Sequence, residues 1–203
     1  MTAETIAKAV EQAGFSTIST EEAQKFAQYL ELLLKWNARL NLTAIREPEA
    51  ILQRHFLECI QCAQSLPSVA SLLDFGSGAG LPGIPIAILK PEIRVTLGES
   101  QAKKAAFLRE AVRTLDLNAT VFDGRIETMT EQFDAVTLRA VDKMVEASRL
   151  AQERIKPSGR IILFTTVAPE PELSAALPAI QWQQTVPIHG LDSGILLIGQ
   201  KTH

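Results

Sequence analysis

The chain has 203 residues, of which 46% are hydrophobic and 21% are charged, and its formal net charge is −3. This composition is typical of one globular unit with a buried core. It excludes a protein coated with basic residues, so any nucleic-acid binding requires a local patch. Two cysteines exclude a disulfide-rich scaffold, the N-terminus lacks the apolar core of a signal peptide, and the apolar runs are too short to span a bilayer. We therefore expect a cytoplasmic protein that has no membrane segment. A monomer is a separate expectation.

The first part of the chain is predicted to be helical. Ser19 and Glu22 have the spacing of a capping box, in which each side chain accepts a hydrogen bond from the other residue's backbone N–H, and apolar residues then recur at helical spacing. Pro48 suits the first turn of a later helix, because its missing N–H is not needed there. A shorter helix is expected over residues 3–12. Residues 1–66 are therefore predicted to form a helical cap that packs on the rest of the chain.

Short apolar runs alternate with helical stretches from residue 70 onward. The predicted strands cover residues 71–75, 93–97, 119–122, 133–138 and 160–165, and the predicted helices between them cover 85–89, 102–115 and 143–155. Strands that alternate with helices imply a parallel sheet covered on both faces. Two further runs, 182–186 and 195–199, have no long helix between them and predict an antiparallel hairpin at the sheet edge. Residues 67–203 are thus expected to form a Rossmann-like α/β domain.

A glycine-rich segment between Asp74 and Gly83 follows the first predicted strand, where an open α/β sheet binds its ligand. One frame, from Gly78 to Gly83, is a literal GxGxxG and indicates a dinucleotide. It begins three residues past the strand, however, whereas a dinucleotide loop begins directly after it. The other frame is Asp74-x-Gly76-x-Gly78-x-Gly80, the pattern of S-adenosylmethionine-dependent methyltransferases, in which a carboxylate helps to orient the cationic methionine end of the cofactor. The methyltransferase frame is favoured, and a nicotinamide-dependent oxidoreductase is the alternative.

A second carboxylate supports a nucleoside ligand. Glu99 follows the second predicted strand, 23 residues after Gly76, where an acidic residue accepts hydrogen bonds from ribose hydroxyls. The loop after the third strand, which contains Ile126 and Glu127, is placed to hold an adenine against an apolar side chain. Both features fit a ligand that contains adenosine.

One helix face carries His55, Cys59 and Cys62 at the spacing i, i+4 and i+7. Such a face can bind zinc, but no fourth ligand is evident, and buried free cysteines are common. We therefore predict no metal site.

Beyond these motifs, the sequence resembles the RsmG (GidB) family, whose members methylate guanine N7 in bacterial 16S ribosomal RNA. The resemblance runs from about Leu33 to Gly159, and the GLPGIP segment at residues 80–85 is its most specific part. The other matching positions are Lys35-Trp36-Asn37, Asn41-Leu42-Thr43, His55, Glu99-Ser100, Lys103-Lys104, Arg125-Ile126-Glu127 and Arg139-Ala140.

The resemblance implies S-adenosylmethionine as the cofactor and 16S ribosomal RNA, or the small ribosomal subunit, as the partner. Together with the glycine frame it gives the expected cofactor-binding residues Asp74, Gly76, Ser77, Gly78, Gly80, Leu81, Glu99, Ser100, Ile126, Glu127 and Arg139. The expected substrate-binding residues are Lys35, Arg46, His55, Pro82, Lys103 and Lys104. Arg139, after the fourth strand, is also the candidate catalytic residue, because its guanidinium can orient a guanine or a phosphate.

The chemistry requires few catalytic groups. Guanine N7 already carries a lone pair, so no proton must be removed before attack, and catalysis depends on close, in-line placement of N7 and the methyl group. The fourth strand ends in Leu-Arg-Ala-Val and lacks the Pro-Pro-aromatic tetrapeptide of amino-directed methyltransferases. Methylation of an exocyclic amine is therefore not expected.

The chain departs from the family pattern at three places. Thr165-Thr166 stands where the family usually has Lys-Gly, Ser193-Gly194 stands near an expected basic residue, and Glu58-Cys59 replaces Asp-Ser. Loss of two cations near the substrate would weaken RNA affinity, because each phosphate contact contributes electrostatically. A cofactor-binding family member without efficient activity on ribosomal RNA is therefore a second alternative.

Overall fold

A computed structural model describes residues 1–166 and 171–202 of the chain. The N-terminal helices are α1 (Ala3–Gln12), α2 (Thr20–Leu40), α3 (Pro48–Ile51) and α4 (Leu57–Ser65). A π-helical turn, Leu52–Phe56, joins α3 to α4 without a break. The stretch from Pro48 to Ser65 is thus continuous helix and starts at the proline that predicts its first turn, but it contains one widened turn that the apolar spacing does not reveal.

The predicted start of α2 is confirmed by its hydrogen bonds. The Ser19 hydroxyl accepts from the backbone N–H of Glu22 at 3.2 Å, and the Glu22 carboxylate accepts from the backbone N–H of Ser19. The helix ends at Asn41, whose φ of 48° is left-handed. The chain then turns back toward α3, which begins at Pro48 as expected.

The described strands form one seven-stranded sheet in the order β3-β2-β1-β4-β5-β7-β6. They are β1 (Ser71–Phe75), β2 (Arg94–Glu99), β3 (Ala119–Asp123), β4 (Phe133–Arg139), β5 (Ile155–Thr165), β6 (Ile180–Pro187) and β7 (Ile195–Lys201). Strands β1 to β5 are parallel, whereas β7 runs antiparallel to both β5 and β6. The predicted parallel sheet and its C-terminal antiparallel hairpin are confirmed.

The remaining helices connect the strands. They are α5 (Gly83–Leu89), α6 (Ala102–Thr114), α7 (Met144–Glu153) and α8 (Pro171–Ala176). The short α8 was not expected from the sequence. Strand β5 begins at Ile155, five residues earlier than predicted, because Ile155 pairs with Phe133 across an irregularity in the β4–β5 ladder.

Apolar side chains cover both faces of the sheet. On one face, Phe26, Phe56 and other cap residues share a continuous core with Leu72 and Phe107. On the other face, Leu73 packs with residues of β4, β5 and α7. The helices of the cap therefore pack on the sheet itself, while the division of the chain at residue 66 stays a prediction.

The parallel strands determine where a ligand can bind. Because β1, β2, β3, β4 and β5 all run the same way, their carboxyl ends meet at one edge of the sheet, and loops leave from that edge. None of the described helices is long and apolar enough to cross a membrane.

Candidate cofactor and substrate site

The loop after β1 has the backbone conformation that its glycines predict. Gly76, Gly78 and Gly80 have φ values of 71°, 56° and 87°, which residues with a Cβ rarely adopt. A Cβ on Gly80 would also lie 2.3 Å from the Cδ1 atom of Ile84. The alternating glycines therefore permit a tight loop between β1 and α5.

Hydrogen bonds fix this loop to the ends of the neighbouring strands. The Ser77 hydroxyl donates to the Asp74 carbonyl at 2.9 Å, and the Ser77 N–H donates to the Gly98 carbonyl at 2.9 Å. The Gly78 N–H donates to Oε2 of Glu99 at 3.0 Å, while the other oxygen of Glu99 accepts from the Gln101 N–H at 2.7 Å. Two sequence-predicted features, the glycine loop and Glu99, are thus in direct contact.

Asp74 lies beneath the loop, with only 1% of its surface exposed. Its Oδ2 accepts from the Gly83 N–H at 3.1 Å, and its Oδ1 accepts from the Thr137 hydroxyl at 2.9 Å. Burial raises the pKa of Asp74 to about 6, against the lowering effect of these hydrogen bonds, of Ser77 and of the positive charge of Arg139. The carboxylate therefore binds the first turn of α5 and strand β4. Its role in orienting the methionine end of the cofactor stays a prediction, and Asp74 would have to exert that role through the loop backbone.

A cleft of about 380 Å³ opens at the carboxyl edge beside the loop. Its lining includes Gly76, Glu99, Ser100, Ile126 and Glu127, all of which were predicted to bind the cofactor. The site therefore combines residues from the ends of β1, β2 and β3. Gly98 lines it too, and a Cβ there would lie 2.4 Å from the Cδ1 atom of Ile126, so the glycine lets this side chain approach β2.

The loop after β4 completes the cleft and was missed by sequence reasoning. Asp142 and Lys143 of this loop line the cleft together with Glu146 of α7, and both Ala140 and Lys143 have a left-handed φ of 51°. Their position directly after a parallel strand is the signal that could have identified them, because every such strand ends at the same edge.

The remaining residues predicted to bind the cofactor do not line the cleft as the described residues form it. They are Asp74, Ser77, Gly78, Gly80, Leu81 and Arg139. Leu81 is 6% exposed and belongs to the core that the cap shares with the sheet. Most of these residues belong to β1 and the glycine loop, next to Phe75 and Gly76, which do line the cleft.

Arg139 ends β4 on the side of the sheet that faces the cap. Its Nη2 donates to Oε2 of Glu58 at 2.6 Å and to the Arg54 carbonyl at 3.1 Å. The guanidinium also lies over the ring of Phe164, with its Cζ 5.6 Å from the ring centroid. Both partners in the ion pair are largely buried, with 13% and 5% of their side-chain surfaces exposed. Glu58, one of the departures from the family pattern, therefore holds the candidate catalytic arginine.

His55 connects this cluster to Thr43, in the loop between α2 and α3. The Nη2 of Arg139 lies 2.9 Å from Nδ1 of His55, and Nε2 lies 2.7 Å from the Thr43 hydroxyl. Nδ1 also lies 2.8 Å from the Arg54 carbonyl. The carbonyl can only accept and the guanidinium can only donate, so these two contacts require opposite roles of Nδ1. Burial, and next the charge of Arg139, lower the pKa of His55 to about 4, so the ring is neutral at pH 7.

The predicted basic substrate residues lie on two elements that flank the edge. On the cap, the Lys35 Nζ is 4.0 Å from Glu110 of α6, and Arg46 donates to the side chain of Asn41 at 2.9 Å. Lys103 and Lys104 belong to the first turn of α6. None of these four lines the cofactor cleft as described, and Pro82, also predicted to contact substrate, is buried before α5.

Two other features do not contribute to this site. A larger cleft of about 650 Å³ lies at the amino ends of the strands, around Ala70, Asp134 and Gly159, and has none of the loops described above. Cys59 and Cys62 are buried free thiols, and burial raises the pKa of both. Within residues 1–166 and 171–202, no group of three or more His, Cys, Asp or Glu side chains is arranged to hold a metal ion.

The fold is that of the S-adenosylmethionine-dependent methyltransferases. The M. jannaschii TYW2 structure, in complex with AdoMet, is similar with a TM-score of 0.60 at 16% identity, over 73% of this chain and 75% of that one. The antiparallel β7 between β5 and β6 distinguishes this sheet from an all-parallel dinucleotide-binding sheet.

The sequence comparisons then show the family. The model of the GidB family, rRNA small subunit methyltransferase G, matches residues 22–192. The Ribosomal RNA small subunit methyltransferase G of Roseiflexus sp. is 43% identical over 153 residues, which cover 71% of this chain and 65% of that protein. The protein of the same name from Xanthomonas oryzae is 41% identical over 167 residues, covering 80% and 77% of the two chains. The chain belongs to this family, as its motifs predict, and membership does not favour a nicotinamide-dependent oxidoreductase.

Replacement of Glu99 by alanine tests the cofactor cleft. The variant loses the acceptor for ribose hydroxyls and leaves the Gly78 N–H without its partner, so the Kd for S-adenosylmethionine should rise about 10- to 100-fold. Isothermal titration calorimetry measures this. Glu92→Ala, which removes an exposed carboxylate before the opposite end of β2, is the control and should bind normally. Unchanged affinity in Glu99→Ala would remove Glu99 from the site.

The raised pKa of Asp74 predicts a pH dependence of stability. The Asp74 carboxyl binds its proton more tightly in the folded state than in the unfolded state. The stability that this proton contributes is therefore fully present below the ordinary pKa of 3.8 and is lost as the pH rises through about 6. The free energy of unfolding of the wild type, minus that of Asp74→Asn, should therefore fall by about 2–3 kcal/mol between pH 4 and pH 7 in urea titrations. Asp116→Asn, at an exposed aspartate, should follow the wild-type profile, and a flat difference for Asp74→Asn would contradict the assignment.

Proposed function

We propose that the protein transfers the methyl group of S-adenosylmethionine to N7 of a guanine in bacterial 16S ribosomal RNA. The observation that carries this proposal is the contact between the Gly78 N–H and Glu99, which sets a glycine loop and an acidic strand end against one cleft. Family membership supports the same reaction, since the relatives are named for the small-subunit ribosomal RNA.

The cleft residues fit the parts of the cofactor. Glu99 is placed to accept hydrogen bonds from ribose hydroxyls, and the Ile126 side chain offers an apolar surface for the adenine. Glu127 and Ser100 supply polar groups beside it. When bound, S-adenosylmethionine supplies an electrophilic methyl group on a sulfonium.

The acceptor would approach from the side of the cap. Strand residues alternate between faces, so Arg139 lies on the same face as Thr137, two residues before it. Asp74 of β1 pairs with Thr137 and accepts its hydroxyl, so it lies on that face too. That face is the one covered by the cap helices. We therefore assign Arg139 to the substrate side, where it orients the guanine or a phosphate while Glu58 fixes its position.

The chemistry asks for placement rather than proton transfer. N7 attacks through a lone pair that is already available, so the residues need only exclude water, align the base and stabilise charge. The neutral His55 agrees with this, because it contacts the Arg139 guanidinium through Nδ1 and carries no charge at pH 7.

The RNA contacts are assigned to cations on both sides of the site. Lys35 and Arg46 belong to the cap, and Lys103 and Lys104 belong to α6. Since the net charge is −3, these local groups must provide the attraction for phosphates. The small ribosomal subunit, or a precursor of it, is the proposed partner of a monomer that acts in the cytoplasm.

The alternative of a family member with weak activity has a structural basis. Thr165 ends β5 at the carboxyl edge and pairs with Ile195, which directly follows Ser193-Gly194. Both departures from the family's basic residues therefore lie together, next to Phe164 under Arg139. Fewer cations at this point predict a lower RNA affinity that falls less steeply with salt, while cofactor affinity stays unchanged.

A labelled-methyl assay tests the function directly. Small subunits and naked 16S RNA from cells that lack this protein should accept a methyl group, and mapping should place it on guanine N7. Parallel titration with S-adenosylmethionine and NAD should show binding of the first alone. Binding of NAD alone would overturn the proposal, whereas cofactor binding without methyl transfer to either RNA would favour the non-catalytic alternative.

Loss of the Arg139 guanidinium should affect methyl transfer far more than cofactor binding. In the paired variant R139Q/E58Q no buried charge is left without its partner, and kcat should fall about 100-fold, as expected when a preorganised charge is removed. The Kd for S-adenosylmethionine should change less than about two-fold, because Arg139 lies outside the described cleft. A large rise in Kd with normal kcat at saturation would instead place Arg139 against the cofactor.

A further inference from the structure

Tyr29 links the helical cap to the glycine loop. It is the chain's single tyrosine, it lies on α2, and its side chain is fully buried. Its hydroxyl donates to the carbonyl of Ala79 at 2.6 Å. The ring stacks on Phe56, with centroids 5.2 Å apart and planes 13° from parallel. Both the ring and the hydroxyl are therefore held in one place.

The hydroxyl is suited to donate. Burial raises the pKa of Tyr29 well above its usual value, with smaller contributions from Cys59 and Asp74, so the proton remains on the oxygen. A buried hydroxyl without a partner costs free energy, and so does a buried carbonyl. The bond to Ala79 satisfies both groups at once.

The position of the accepting carbonyl gives this bond its importance. Ala79 lies between Gly78 and Gly80, which both have left-handed φ values. Glycines on each side leave the intervening peptides free to rotate, because they have no Cβ to restrict them. The Gly78 N–H must keep its orientation to reach Glu99. The Ser77 carbonyl closes the loop by accepting from the N–H groups of Gly80 and Leu81 at 2.7 and 3.3 Å, while the Ala79 carbonyl between them accepts from Tyr29.

We propose that Tyr29 is a positioning residue for the cofactor site, which holds the Ala79 carbonyl so that the glycine loop stays in its binding conformation. The inference rests on the proposed function, since it concerns the loop that contacts S-adenosylmethionine. It assigns to the cap a part in cofactor binding, in addition to its part in the core.

A positioning role differs from a structural one in its kinetic effect. Without the hydroxyl, the loop would populate further conformations in the cofactor-free protein. The apparent Kd would then rise in inverse proportion to the fraction that remains in the competent conformation. Once the cofactor is bound, the same loop conformation is recovered. The KM for S-adenosylmethionine should therefore rise while kcat remains near the wild-type value.

The variant Tyr29→Phe removes only the hydroxyl and keeps the stacked ring. One neutral hydrogen bond is worth about 1 kcal/mol, so the Kd and the KM for S-adenosylmethionine should each rise about 5-fold. Calorimetry and methylation assays measure the two constants. Hydrogen exchange of the amides at 76–81 and 83 should be faster in the cofactor-free variant and should return to the wild-type rate at saturating cofactor.

Phe26→Leu is the matched control. Phe26 lies on the same helix, is fully buried and packs on Phe56, so the variant weakens the cap without removing a bond to the loop. It should lower the melting temperature yet leave the Kd for the cofactor unchanged. An equal rise in Kd in both variants, or an unchanged Kd in Tyr29→Phe, would overturn the inference while the proposed function stands. Absence of binding by the wild type would overturn the proposed function, and this inference with it.

Discussion

The carboxylate of Asp74 is buried at the end of β1, and a buried carboxylate is stable only when its oxygens accept hydrogen bonds. Its partners are Thr137 on β4 and the first N–H of α5, so one side chain joins the two central strands to the helix that follows the glycine loop. The loop has to close over this group within a few residues. The left-handed φ values of Gly76, Gly78 and Gly80 allow this closure.

Much of the fold follows from local patterns. The bounds of β1 were predicted without error because a short apolar run lies between a proline-containing turn and a glycine loop. The start of β5 was missed because Pro157 and Gly159 favour a turn, whereas pairing with β4 extends the strand through them. The π-helical turn before α4 was missed for a related reason, since its apolar spacing over a few residues does not differ from that of an α-helix.

The residues of the site also fall into those that the sequence predicts and those that it does not. The glycines, Glu99 and Ile126 could be predicted because each follows a strand, and parallel strands end together. The pairs Arg139–Glu58 and Tyr29–Ala79 could not, because they join positions 81 and 50 residues apart. Such contacts depend on how the cap packs on the sheet, and a single sequence contains no periodic signal for them. They are the contacts through which the cap reaches the site.

The place of β7 has a consequence for how the chain folds during synthesis. In the described sheet, β6 reaches the other strands only through β7, which is translated after it. The edge of β5 therefore remains open, and β6 has no strand to pair with, until residues 195–201 have left the ribosome. Closure of the sheet is then a late step that inserts one strand between two others. A chain terminated just before Ile195 would lose the pairing of two strands, although only one had been deleted.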